Sequence, residues 1–261
     1  MEFFTILLSA LLGLASPVGI VADRLVESAV RRQFQSVDSL TVRIDNTPSY
    51  QVVRGRVDRV RLAGRGLVPI DGVRLEVLEV ETDAIALNPS RIRSGNVELA
   101  EPLQAGVRLV LTEADLQQTL QSEQVRSQLQ QIRLQLPGAS GAQRYTLTNP
   151  QIELLPNARL RLQVTLQDPR AQQAITTAIE SGLAIHQGSH LQLVDPALQV
   201  DGQAVPQELV PLVTQAVEPL LNLQTLERSG ITARLLELNV EEDYLELAAF
   251  IRLDPATFSG L

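Results

Sequence analysis

The sequence predicts an α+β protein built from strongly coiled antiparallel sheets with long helices packed on them. Three observations carry this reading. Long stretches alternate apolar and polar residues with period two, as strands with one buried face do. Some of these runs change phase by one residue, which marks a bulge or a strand that passes from one face to the other. Residues 206–226 (PQELVPLVTQAVEPLLNLQTL) are apolar around most of a helical circumference, so a helix there must be covered on most sides or must cover something apolar itself.

Taken in order, residues 3–22 form an apolar run about long enough to cross a bilayer, preceded by Glu2 and followed by Arg24, Arg31 and Arg32. They are read as an N-terminal membrane segment, an anchor or an uncleaved signal, ahead of one domain over residues 23–261. A buried helix of a soluble domain is the other reading of this run. Leu25, Val26, Ala29, Val30 and Phe34 then fall at helical spacing, and LTVRID alternates as a strand.

Residues 51–87 predict a long coiled hairpin. Apolar residues Val53 and Val57 hold one phase, Val60 and Leu62 the other; Val73, Leu75 and Val77 give way likewise to Leu78, Val80 and Ala84. A register that sets the two slips opposite each other faces Arg54 with Glu81, Arg56 with Glu79 and Arg59 with Glu76, opposite charges on neighbouring strands. Arg65, in the expected loop, is left without a partner and is the candidate for a lipid head group.

Thr112 and Asp115 predict a helix start closed by a capping box, with Leu111 and Leu116 as its staple. The apolar spacing fails after Leu120, which predicts a break near Gln121–Ser122 and a restart toward Leu129 and Ile132. Residues 136–143 (LPGASGAQ) are the expected linker. Beyond them come two strands about a Pro156–Asn157 turn, a helix over residues 168–183 capped by Asp168 with Pro169 at its first position, and strands with turns at Asp195–Pro196 and Asp201–Gly202. Last is a hairpin about Glu241–Asp243, whose first strand shifts phase between Leu235 and Leu236.

Composition narrows the function. Hydrophobic residues make up 44% and aromatics only 3%, with no Trp, so the apolar content is aliphatic. Bases and sugars stack on aromatic rings, and a net charge of −8 opposes phosphate backbones, so nucleic acid is excluded as a partner. All 22 basic residues are arginine, a phosphate-binding chemistry that a GC-rich coding bias also yields. Without Cys there is no disulfide, thiolate metal site or Cys nucleophile. His186 and His190 stand four apart, but Gly188 between them argues against a helix that would align them as ligands. The acids at 237, 241, 242, 243 and 246 read as a solvated hairpin tip. No nucleophile elbow, phosphate loop or HExxH occurs, so no catalytic residue, metal or cofactor is assigned and the chain is read as no enzyme. A cavity lined by aliphatic side chains suits acyl chains; its candidate lining is Val57, Val60, Leu62, Leu75 and Val77 from the hairpin, with Leu209, Val213, Val217, Leu220 and Leu221 from the 206–226 helix.

Several segments, in this order, resemble the LmeA-like phospholipid-binding family: FQSVDSLTVRID, GRVDRVRLAGRGL, GVRLEVLEVETDAI, VRLVLTEADLQQTL, LVDPALQVDGQAVP and GITARLLELNVEEDYLEL. The similarity runs from about Asp23 to Leu253. The resemblance implies an elongated, tubular lipid-binding (TULIP-like, BPI-like) fold around an apolar cavity and phospholipid or another acyl lipid as ligand. It further implies membrane association at the bacterial envelope, favouring the periplasmic side, and no catalysis; Arg24, Arg31 and Arg32 after the apolar run instead favour the cytoplasmic side on a positive-inside count. Glu2 departs from the basic patch that precedes the hydrophobic segment in the family. A membrane-anchored scaffold with an ordinary filled core is the alternative; the sequence names no protein partner.

Overall fold

A computed structural model of the chain describes residues 27, 28, 30–45, 55–88, 99–131, 133–138, 141–167, 174–211, 214 and 221–255. The N-terminal run 3–22 therefore lies outside the described residues. Among the described residues no helix is long and apolar enough to cross a membrane. The chain divides into two compact units: Met1–Val110, Leu223–Glu237 and Glu246–Leu261 form the first, Leu111–Asn222 and Leu238–Leu245 the second.

The strands are β1 (Ser39–Asp45), β2 (Arg56–Val57), β3 (Arg59–Ile70), β4 (Val73–Thr82), β5 (Ile85–Ala86) and β6 (Leu103–Thr112), followed by helices α1 (Glu113–Gln121) and α2 (Glu123–Gln131). Then come β7 (Arg133–Gly138), β8 (Gly141–Leu155), β9 (Arg159–Gln167), β10 (Ala174–His186), β11 (His190–Val200), β12 (Gln203–Ala204), β13 (Ile231–Val240) and β14 (Tyr244–Leu253). One six-stranded sheet has the order β1-β3-β4-β6-β14-β13, a second β12-β11-β10-β9-β8-β7, and β2 pairs with β5 alone.

This corrects the expected fold class. Among the described residues the protein is mostly antiparallel sheet with short helices, its sheets are not strongly curled, and no long helix packs on coiled sheets in the TULIP-like manner. The physical reason is visible at two segments. Residues 174–183, read as part of a helix, lie in β10, where the β-branched run Ile175, Thr176, Thr177 and Ile179 fits a pleated surface better than a helix. Within 206–226, Val210, Pro211 and Thr214 are α-helical after a 3-10 turn at Gln207–Leu209, and a second 3-10 segment, Leu223–Ser229, closes the stretch; residues 212–213 and 215–220 lie outside the described residues.

In the first sheet, Leu40, Val42, Val60, Leu62, Leu78 and Val80 point to one face and are all buried. Cross-strand pairing joins them in rows, Val42 with Leu62 and Leu62 with Val80. The β3–β4 register also differs from expectation: Arg61 faces Glu81 and Leu67 faces Leu75. The expected loop is strand as far as Ile70, because Asp71–Gly72 alone makes the turn, with Gly72 at φ 77°. Asp58 is where β2 ends and β3 begins, so the first phase slip is a break between strands. The reversal inside β3 comes at Gly66, whose φ of 57° is left-handed. Burial alternates through Val60, Leu62, Gly64 and Gly66, then resumes on Leu67 and Pro69. The ion pairs follow the observed register: Arg59 and Arg61 reach Glu81 at 3.1 and 3.3 Å.

The helix start follows the sequence closely. Thr112 Oγ1 accepts the Asp115 N–H and an Asp115 carboxylate oxygen accepts the Thr112 N–H, both at 3.1 Å. The helix ends with Ser122 as its C-cap and α2 follows at once. Residues 136–143 are no linker; β7 and β8 pair as far as Gly138 with Gly141. The β8–β9 turn at 156–158 and the last hairpin about 241–243 stand where expected, and buried positions in β13 shift phase after Leu235.

Candidate functional site

The second sheet is two-faced, and its pairing registers show how. On one side Leu147, Ile152 and Leu154 of β8 stand beside Leu166, Leu162 and Leu160 of β9. These meet Ile175, Ile179 and Ser181 of β10. The row continues into β11, with Ile179 beside Leu198, Leu183 beside Leu193 and Ile185 beside Leu191. Since side chains alternate faces along a strand, this gives one broad aliphatic face across four strands. At one end of it Leu147 and Leu166 are buried, with Leu129 of α2, Val164 and Ile175 packed against them. Most of the remainder, including Leu162, Ile179, Leu183, Ile185, Leu191 and Leu193, is only half-buried. On the same face the Thr177 hydroxyl is buried without a hydrogen-bond partner.

Helix α1 guards the β8 margin that β7 leaves unpaired. Gln117 Oε1 accepts the Ile152 N–H at 2.9 Å, Glu113 Oε2 accepts the Leu154 N–H at 2.7 Å, and Gln117 Nε2 donates to the Pro150 carbonyl. Satisfying these strand groups with helix side chains removes an edge that would otherwise invite pairing.

The opposite side of the sheet is polar. Glu180 accepts from Arg159 Nε at 3.0 Å and from Arg161 Nη2 at 3.1 Å, while Arg161 Nη1 donates to Glu153 at 2.6 Å. These hydrogen bonds, Arg159's first, hold the Glu180 carboxyl below its ordinary value of 4.5. A depressed folded-state pKa stabilises the fold at neutral pH; that stabilisation is lost as pH falls below the ordinary carboxylate range and through the folded value. The thermal midpoint of the protein is thus expected to drop through this acid range, and Glu180→Gln to flatten that limb of a Tm-versus-pH series. An unchanged acid limb in the variant would contradict the assignment. Beside Glu180 the β10–β11 register shifts between Glu180 and Gly182. Ser181, fully buried, holds the irregularity by a hydroxyl within 2.7 and 2.9 Å of the Gly182 and Val194 carbonyls. Asp195, with φ 46°, belongs to this bulge within β11 and not to the expected turn.

The expected lining residues fall in several places. Val60, Leu62 and Leu75 are core side chains of the first unit, 1–2% exposed, and Val57 is buried in the short β2–β5 ladder. Val77 is half-buried and shares its face with Arg65 and Val110. Leu221 is half-buried beside Asn222, which bridges to His190. Leu209 lies in a 3-10 turn; its side chain, and Val213, Val217 and Leu220 altogether, lie outside the described residues. Arg65 is exposed on β3 and makes no ion pair among the described residues. His186 and His190 face each other across the β10–β11 turn, and no metal-binding cluster exists among the described residues.

Ile179, Leu183, Leu191 and Leu193 escaped the sequence reading. For the first two, the helix assignment hid the alternation through Ile175, Thr177 and Ile179. The β-branched content of that run was the available signal.

Compared with known families, residues 14–250 match the profile of the LmeA-like phospholipid-binding family. No curated protein and no solved structure matches the chain.

Proposed function

The chain belongs to the LmeA-like phospholipid-binding family, and from that premise we propose that it is a non-catalytic phospholipid carrier whose acyl chains lie against the aliphatic face of the second sheet. The observation that carries this reading is the half-burial of that face. A folded protein gains about 25 cal/mol for each Å² of apolar surface removed from water, and here a continuous row of Leu and Ile leaves part of that gain unrealised until something apolar covers it. A face that is aliphatic but for the Thr177 and Ser181 hydroxyls accepts acyl chains of varied length and unsaturation, as a carrier requires. The apolar run 3–22 supports a membrane-associated location at the bacterial envelope.

The test is organic extraction of the purified full chain, followed by mass spectrometry of the lipid and by measured uptake from phospholipid vesicles. Phospholipid in stoichiometric amount, replenished from vesicles after delipidation, is the expected result. A lipid-free protein that takes up nothing from vesicles would overturn the proposal.

A further inference from the structure

The outer face of the first sheet carries an open groove of about 550 Å³, within the roughly 300–1,000 Å³ range of small-ligand sites. Its floor is made of small residues, Ala63, Gly106 and Ala248, and Leu236 stands at its margin, 68% exposed. A cross-strand row runs through it: Arg43 faces Arg61, Arg61 faces Glu81, and Glu81 faces Gly106. The β14 and β13 side of the groove adds Ala248 and Leu236. Polarity therefore changes along one line, from guanidinium at the β1 end to aliphatic at the β13 end, over about 24 Å for six strands.

The charged end is short of anions. Like charges directly opposite on neighbouring strands destabilise a sheet, and Arg43 and Arg61 are such a pair. They share Asp45, at 2.9 Å from Arg43 Nε and 2.8 Å from Arg61 Nη1. Glu81 is shared in turn by Arg59 and Arg61. The nearby Glu79 and Glu246 are both engaged by Arg108. Three guanidiniums thus divide two carboxylates, and Arg43, with a side chain 69% exposed, uses only Nε. Its two terminal nitrogens are left for a carboxylate or phosphate, whose oxygens match the guanidinium fork.

We propose that this groove binds a single-chain anionic amphiphile, its head group on Arg43 and Arg61 and its alkyl chain over Gly106 and Ala248 against Leu236. One chain fits because the small-residue floor is bounded by the ion-paired Arg61 and Arg108. The site shares no residue with the aliphatic face of the second sheet and stands or falls without it.

The experiment uses the full chain and a diazirine-bearing dodecyl phosphate, with labelled residues identified by mass spectrometry. Labels are expected around Gly106, Leu236 and Ala248. Gly106→Val should cut them about tenfold by filling the floor. This variant suits its strand, since an added Cβ meets only the Glu81 carbonyl at 4.0 Å. Arg43→Gln should weaken labelling severalfold, and the matching dodecyltrimethylammonium probe should label poorly. Leu236→Gln, on an exposed side chain, gives the same test should Gly106→Val fold badly. Labels elsewhere, labels undiminished by the groove variants, or equal labelling by the cationic probe would overturn the proposal. Vesicle uptake retained in Gly106→Val while groove labelling is lost separates this site from the carrier face.

Discussion

Gly64→Val is expected to destabilise the first unit by about 3 kcal/mol, the upper part of the range for forcing extra carbon into a packed core. A Cβ at Gly64 would stand 2.8, 3.0 and 3.1 Å from three side-chain atoms of Leu67. Leu67 is fully buried and has nowhere to go. The contact exists because of Gly66: its left-handed backbone reverses the alternation, so residues three apart, Gly64 and Leu67, share the buried side. Gly66→Ala should therefore also destabilise, by about 1–2 kcal/mol for an L-residue in that region. Its added Cβ would meet Asp38, but that side chain is exposed and can swing aside. Urea denaturation of both variants checks the order. The sharper check is a double-mutant cycle: Leu67→Ala alone should cost about 2–5 kcal/mol, and combined with Gly64→Val it should cost clearly less than the sum. Strict additivity would show that the two positions do not compete for space.

The same glycine explains what could and could not be read from the chain. Alternation fixes which side chains share a face, so β1, β8, β9 and the last hairpin were legible, and so were the capping box at Thr112 and the break at Ser122. Register is another matter. It depends on which residues make the turn and on where a left-handed residue reverses the pleat. Charge pairing in the 51–87 hairpin looked consistent in a register that the tight Asp71–Gly72 turn does not allow, because arginines and glutamates recur at the same period on both strands. A charged ladder fits several registers; the two-residue turn, with the one-residue shift between Leu67 and Ile70, selects the observed one.

The candidate site was hidden by a different ambiguity. Residues 174–183 contain Ala174, Ala178, Ile179 and Leu183, a spacing that also describes one face of a helix, and Asp168–Pro169 before them looks like a helix start. What decides for strand is non-local: β10 has β9 on one side and β11 on the other, and no local pattern encodes that. Meanwhile Val60, Leu62 and Leu75 drew attention for their alternation, which is equally the signature of an ordinary core. The two sets differ in exposure. Those three are 1–2% exposed, while the β9–β11 aliphatic row remains half open.

Replacing Leu183 and Leu193 together by Gln is accordingly expected to weaken phospholipid uptake while sparing the fold. The two are cross-strand partners on the aliphatic face and both are only partly exposed, so each has up to about a third of a leucine's burial still to gain. At roughly 0.5–1 kcal/mol each, about 1–2 kcal/mol is lost from lipid contact, roughly five- to thirtyfold in affinity. They stand outside the Leu147–Leu166 cluster, so the cost to folding is smaller than for a core leucine. The control is Gln192→Ala, next along β11 but exposed and on the polar side beside Ala184, which should leave uptake unchanged. Vesicle-uptake assays with thermal melts of all three proteins make the comparison. Equal uptake by the double variant and the wild type, with melts intact, would remove the second sheet from lipid binding and turn attention to the segment 212–220.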